Sequence, residues 1–387
     1  FRRVLFRSVD NTSAEVAGAI YSDYGTMSIA HSTFSGNHAA DIGGAIYSYE
    51  GTMSIADSTF GDNGAGSYGG AVYGEYGVMS IARSSFHGNI VQAGGEGGGA
   101  VFVYEESDVV AVDHSTFVGN EADWGGAIVP EASDMLVTSS QFTANHTTYA
   151  SDYAPDYGGA GIYVYGGTTS VIGSSFTNNT TPSGSAGAGI LLDSGSLSVD
   201  RSTFSGNRSG QAPAIYSYGN NRVTWDPGDT FTVTNSTFVG NINTIADDSA
   251  AIGHERNARS FTLTGNTFRG NGGATYGGAV ETWLVNGSLS ITKNVFVHNR
   301  ATEGGALWLD VRNGVDGVRQ NRFVGNLARA GAAISFECET ALPRTTARKL
   351  VQQNRFSGNV ASKVPSSANV YQSPYDVDGS YCGNAPG

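Results

Sequence analysis

The chain has 387 residues, of which 55 are Gly, 9 are Pro and only 14% are charged, a profile that excludes a collagen-like rod and a highly charged disordered polymer. Hydrophobic residues make up 39%, and no run approaches the ~20 consecutive apolar residues of a membrane-spanning helix, so no membrane insertion is expected of this segment. The net charge of −13 is unevenly spread: Ser8–Ile252 holds 4 basic against 25 acidic residues, and Gly253–Gly387 holds 14 basic against 9 acidic. An acidic body argues against a nucleic-acid partner, because that affinity comes mainly from neutralising phosphates.

The chain opens on Phe1–Ser8, FRRVLFRS, an adapter-like stretch read as non-native. With no initiator Met and no leader, the chain is expected to be truncated upstream. From residue 9 to 359 one unit repeats. A Phe-x-x-Asn element recurs twelve times, from Phe34 and Asn37 through Phe60, Phe86 and Phe117 to Phe356 and Asn359. A Gly-Gly-Ala-aliphatic element alternates with it, as in Gly43-Gly44-Ala45-Ile46 and Gly304-Gly305-Ala306-Leu307. Within each unit the apolar period is two, the pattern of strands. Three short strands are predicted per unit: the Gly-Gly-Ala-Ile-Tyr segment, the Met-Ser-Ile segment and the Ser-Thr-Phe segment, separated by Gly, Asn and Asp turns. The fold class is therefore all-β: a right-handed parallel β-helix of about twelve coils. Residues 360–387 are read as a C-terminal cap.

Aligned, the units form columns. One is aliphatic throughout (Ile20, Ile46, Val72 and their equivalents), a second lies five residues before each Phe, and the Phe column completes the core. The Asn column predicts a stack of amides bonded from coil to coil. Gly-Gly-Ala-Ile paired with Phe-x-x-Asn resembles the repeats of the polymorphic outer membrane proteins and, more broadly, the pectin-lyase-like right-handed β-helices. The resemblance spans about Val16 to Asn359 and implies an extracellular or cell-surface location and a role in adhesion.

Three residues after each core aliphatic stand Asp23, Tyr49, Glu75, Tyr104, Glu131, Tyr165, Asp193, Tyr218, Glu255, Trp283 and Asp310. Acid and aromatic alternate strictly, and only Glu337 in the last coil breaks the order. A mostly aromatic column, including Tyr21, Tyr47, Tyr73, Phe102, Tyr163, Tyr216 and Trp308, runs one residue after the core position. The alternation admits three readings. Exposed strands favour aromatics, and carboxylates spaced in alternate coils avoid mutual repulsion. Rings and carboxylates could instead form a track for a polysaccharide or cell-surface glycan. Calcium capture is the third, although single isolated carboxylates lack the oxygen density calcium takes. No other cofactor or metal site is expected.

A non-catalytic binding role is therefore expected; the alternative is a polysaccharide lyase or glycoside hydrolase, for which the best local candidates are Glu255, Glu281 and Asp310, with His254 and Arg256 beside them. Cys338 and Cys382 are read as a disulfide pinning the tail. Two long loops, His146–Tyr157 and Gly219–Thr230, carry aromatics and acids, and Asn-x-Ser/Thr triplets begin at Asn11, Asn145, Asn178, Asn179, Asn207, Asn235 and Asn286.

Overall fold

A computed structural model describes residues 6–104, 109–150, 157–218, 229–245, 251–255, 259–283, 287–310, 317–337, 350, 352–362 and 377–378. The chain divides into two units, Phe1–Ser196 and Leu197–Gly387. Each is a parallel β-solenoid with nearly no helix, and the turns number about ten, slightly fewer than the twelve expected.

Three sheets run along each unit, but they are not the three strands predicted. The Gly-Gly-Ala-Ile-Tyr and Met-Ser-Ile segments belong to one sheet, joined into single strands such as Ile20–Ala30, Ile46–Ala56 and Ile162–Ile172. Elsewhere a bend divides them, as in Val72–Glu75 and Val78–Ala82. The second sheet holds the phenylalanines, in strands such as Thr33–Ser35 and Thr59–Gly61. The third is made of two-residue strands just after the Asn turn, such as His38–Ala39 and Gly64–Ala65, too short to show a period in sequence. The repeat starts earlier than expected: Arg7–Val9 pairs with Thr33–Ser35, setting Ser8 in the Phe column. It also runs later, since Val360–Ala361 pairs with Leu327–Ala328 and Val377–Asp378 with Ile334–Ser335.

Register is strict because a slip of one residue would turn every core side chain outward. Phe34 pairs with Phe60 and Phe60 with Phe86 in unit 1, and Phe204 with Phe238 and Phe238 with Phe268 in unit 2. The rings stack face to face, Phe34 on Phe60 at 4.7 Å between centroids and 3° between planes, and all are excluded from solvent. The paired glycines let coils approach: at Gly43 φ is +65°, and a Cβ on Gly44 would lie 2.0 Å from the Gly70 carbonyl oxygen, so no other residue fits there.

The Asn column is a continuous amide ladder within each unit. Asn120 Oδ1 accepts from both the backbone N–H and the Nδ2 of Asn89, at 3.1 and 2.9 Å. Its own Nδ2 donates to the Phe86 carbonyl at 3.1 Å and to Asn145 Oδ1 at 2.9 Å. Serines two residues before each Phe form a second ladder, the Ser58 hydroxyl accepting from the Ser32 N–H and donating to the Ala56 carbonyl. Late in unit 2 asparagines take that position, and Asn266, Asn294, Asn321 and Asn354 make a second amide ladder.

Asn120→Ala removes the acceptor for two buried donors of Asn89, each of which costs roughly 1–3 kcal/mol when left without a partner. Chemical unfolding of this variant is expected to show a loss of about 2–5 kcal/mol, whereas Ser85→Ala, on the outward face of the phenylalanine sheet, changes stability by less than about 0.5 kcal/mol. Equal effects of the two would refute the ladder as a stabilising device.

Candidate functional site

The alternating column of unit 1 is a physical row. Asp23 pairs in register with Tyr49, Tyr49 with Glu75 and Glu75 with Tyr104, and Glu131 bridges to Tyr165. Tyr49, Glu75, Tyr104, Glu131 and Asp193 are half-buried, and Asp23 and Tyr165 are exposed. At the bend after this row the backbone enters the left-handed region at Tyr24, Glu50 and Tyr76, with φ of 50°, 42° and 48°. Those bends push three side chains outward beside the row. Tyr24 meets Tyr49 edge to face at 5.7 Å, and Tyr49 meets Tyr76 at 6.0 Å. Tyr24 is 64% exposed and Tyr76 38%. A shallow groove beside Tyr76 is lined by Tyr49, Glu50, Gly51, Thr52, Tyr76, Gly77 and Val78. The contribution of Tyr24 and Tyr76 has no periodic signal in sequence, because the coil between them carries Glu50 at that bend.

The neighbouring aromatic column is not on the surface. Tyr47, Tyr73, Phe102 and Tyr163 are buried, and only Tyr21, at the outermost coil, is exposed at 54%. The segment preceding each Gly-Gly pair covers them: Tyr68 lies 4.6 Å from Phe102 and Trp124 lies 5.0 Å from Tyr163. This outer aromatic layer ties into the acid row, since the Tyr47 hydroxyl donates to Glu75 Oε2 at 2.8 Å.

Electrostatics follow from this packing. Burial, then the hydrogen bond to Glu75, raises the Tyr47 phenol far above its ordinary value. Burial, then the charge on Glu75, does the same at Tyr73, and burial with the hydrogen bond to Glu96 does so at Tyr68. Tyr49 is pushed up to about 12, first by its hydrogen bond to Glu50 and then by burial. All four phenols thus remain donors, and the row presents hydroxyl groups and carboxylates side by side.

In unit 2 the column continues through Tyr218, Glu255 and Trp283, set in step by the Glu255 N–H on the Ser217 carbonyl and the Trp283 N–H on the His254 carbonyl. Asp310 ends the strand Leu307–Asp310 and pairs with Glu337. The catalytic candidates differ in facing and burial. His254 faces the core against Phe231 and Phe261, its Nδ1 3.1 Å from the Ser217 hydroxyl. Glu255, the next residue, faces outward and is half-buried. Glu281 is 2% exposed, stacked in register between Gly253 and Trp308, and accepts a hydrogen bond from the Trp283 indole. A hydrolase needs two carboxylates flanking one substrate bond; Glu255 and Glu281 stand on the same side of their strands, but Glu281 is buried there and held by the Trp283 indole, and His254 faces the core. Arg256, Cys338 and Cys382 lie outside the described residues, as does most of Gly219–Thr230. Among the described residues no three His, Cys, Asp or Glu side chains converge as a metal site, and no helix is long and apolar enough to cross a membrane. Of the Asn-x-Ser/Thr triplets, Asn145, Asn179 and Asn207 are buried members of the amide ladder, whereas Asn11, Asn178 and Asn235 are exposed.

The architecture and its columns define a parallel β-helix repeat protein whose repeats are similar to those of the polymorphic membrane proteins. Residues 31–49 match the family model of the Chlamydia polymorphic membrane protein repeat, which suggests a surface or outer-membrane protein. No curated protein and no solved structure matches the chain.

Raised phenol values mean the folded state favours the protonated form. That contribution is whole below the ordinary tyrosine value near 10 and is lost as pH rises through the folded value. Alkaline titration followed at the tyrosinate absorbance is expected to show one component near 12 that Tyr49→Phe removes, with Tyr47, Tyr68 and Tyr73 ionising only as the β-sheet circular dichroism collapses. Full ionisation of all tyrosines with the sheet signal intact would contradict the buried outer layer.

Proposed function

We propose that the protein is a non-catalytic surface or adhesion protein, extracellular or cell-surface, that binds a glycan along the acid and aromatic row of unit 1. The observation that supports this most is the row itself: Asp23, Tyr49, Glu75 and Tyr104 are stacked in register on neighbouring coils, with the exposed rings of Tyr24 and Tyr76 beside them. Aromatic faces stack on the apolar faces of sugar rings, and carboxylates and phenols exchange hydrogen bonds with hydroxyl groups. Like groups recur every two coils, about 9.6 Å, a length that suits an extended disaccharide. Phe1–Ser196 holds 20 acidic residues against 4 basic ones, so neutral and amino sugars are favoured over uronates.

The test is binding of the full chain to a panel of neutral, amino and acidic glycans, with the products assayed for new reducing ends and unsaturated sugars. Neutral or amino glycans are expected to bind without cleavage. Tyr24→Ser with Tyr76→Ser should weaken binding by about tenfold or more with the unfolding midpoint held. Cleavage abolished by Glu281→Gln would replace this reading with the hydrolase or lyase, and absence of any glycan binding by folded protein would reduce the row to a packing device.

A further inference from the structure

We propose that the phenylalanine sheet of unit 2 carries a second binding surface, for a linear anionic polysaccharide whose sulfate or uronate groups are held by Arg269, Arg322 and Arg355, with Lys293 and Arg319 at its margin. This surface shares no residue with the aromatic row of unit 1 and does not rest on it.

Along the sequence, the basic residues of the C-terminal part are interspersed with acids. The fold separates them. No carboxylate stands on any described strand of this sheet, from Thr203–Ser205 and Thr237–Val239 through Thr267–Arg269 and Val295–Val297 to Arg322–Val324 and Arg355–Ser357. The acids Glu255 and Glu281 stand instead on the sheet of long strands and its edge. Asp200, the carboxylate nearest along the turn, is already engaged by Arg201, Thr234 and Asn235. The equivalent strands of unit 1, Thr33–Ser35 through Ser175–Thr177, bear no Arg, Lys, Asp or Glu. The cationic face is therefore not a property of the repeat but of these coils.

The arrangement is also one that packing does not favour. Arg322 and Arg355 are direct partners in a parallel ladder, one coil or about 4.8 Å apart, and like charges so placed destabilise a sheet. Arg269 stands two coils earlier, in register with Val297, which in turn pairs with Val324. All five basic residues are exposed, and among the described residues none of their side chains forms an ion pair. A diagonal cluster of exposed guanidinium groups, Arg322 and Arg355 one residue before their phenylalanines and Arg269 one residue after its own, fits an extended chain of oxyanions, which the planar Arg fork binds two oxygens at a time. A second copy of this chain fits less well. The acids of its unit 1 row recur only every second coil, and Glu75 is already hydrogen-bonded by Tyr47.

The experiment measures binding of a sulfated heparin oligosaccharide and of oligogalacturonate to the full chain at near-physiological salt. At least one is expected to bind, with Arg322→Gln/Arg355→Gln weakening it by about tenfold or more and flattening its salt dependence. The unfolding midpoint of that variant should hold or rise, because the repulsion is gone. Arg322→Lys/Arg355→Lys, which keeps charge and loses the fork, should fall between, and it serves where the Gln pair fails to fold. The proposal is overturned if neither saccharide binds, if the variants bind as the parent does, if duplex DNA of equal charge binds as tightly, or if the substitutions abolish a salt-dependent self-association in sedimentation instead.

Discussion

The rest of the structure depends on one buried hydrogen-bonding arrangement, the asparagine at each coil's turn whose carbonyl oxygen serves the coil before and whose amide serves the coil after. From Asn37 to Asn359 every member is almost wholly excluded from water, so its polar contacts have no substitute once a neighbour is lost. Aspartate would lack the donors, glutamine, one methylene longer, would carry its amide out of line with its neighbours, and alanine would leave them without partners. The ladder therefore fixes residue type and register at one point of the coil while placing no constraint on the length of chain between one Asn and the next. That is why spacings vary and the register does not. Stability in such an array is a sum over neighbouring coils, and the stacked phenylalanines and close glycine turns add to each step in the same direction.

A scaffold held from inside leaves its outer positions free. In unit 1 those positions are divided into two layers. One aromatic column is buried by the segment ahead of each glycine pair and serves as packing; the column two residues further on, with the rings at the bend, meets solvent. The two layers are coupled through the bond from Tyr47 to Glu75, so the carboxylate in the row is oriented by a buried ring rather than by solvent. In unit 2 the same outer column carries Glu255 and Trp283, but the layer beneath holds Glu281 against Trp308 and the Trp283 indole. An acid in that layer is a component of the packing, and its chemistry is turned inward.

Much of the fold was legible because its determinants repeat. The Phe, Asn and Gly-Gly columns impose one register at each coil, so alignment of the sequence with itself located the core aliphatics, the phenylalanine stack and the amide ladder. What escaped were features that depend on neighbours in space. The two-residue strands after the Asn turn are too short for a period of two. The burial of Tyr47 and Tyr73 depends on residues such as Tyr68, which alternation cannot place above them. His254 and Glu255 are consecutive residues, and strand geometry sends consecutive side chains to opposite faces, so the imidazole joins the core while the carboxylate stays on the outer side. The same rule explains why the acid and aromatic row was legible and the basic stripe was not: the row falls at a constant offset from the core, but Arg269 and Arg322 sit on different sides of their phenylalanines.

The matched repeat, residues 31–49, runs from the turn before Phe34 through Asn37 and the Gly43-Gly44 pair to Tyr49. It contains one Phe, one ladder Asn, one Gly-Gly pair and one core aliphatic, Ile46, but not the second aliphatic column at Ile55, and only one member of the outward row. Coils elsewhere keep the same inward residues in the same register while their outward residues range from threonine to tyrosine to arginine. The residues that make this chain resemble a family are thus the ones that hold coils together, and the residues that could choose a ligand are the ones the resemblance leaves unconstrained. Within a repeat of this kind the family match identifies the scaffold, and ligand chemistry has to be read coil by coil from charge, exposure and partner on the outer faces.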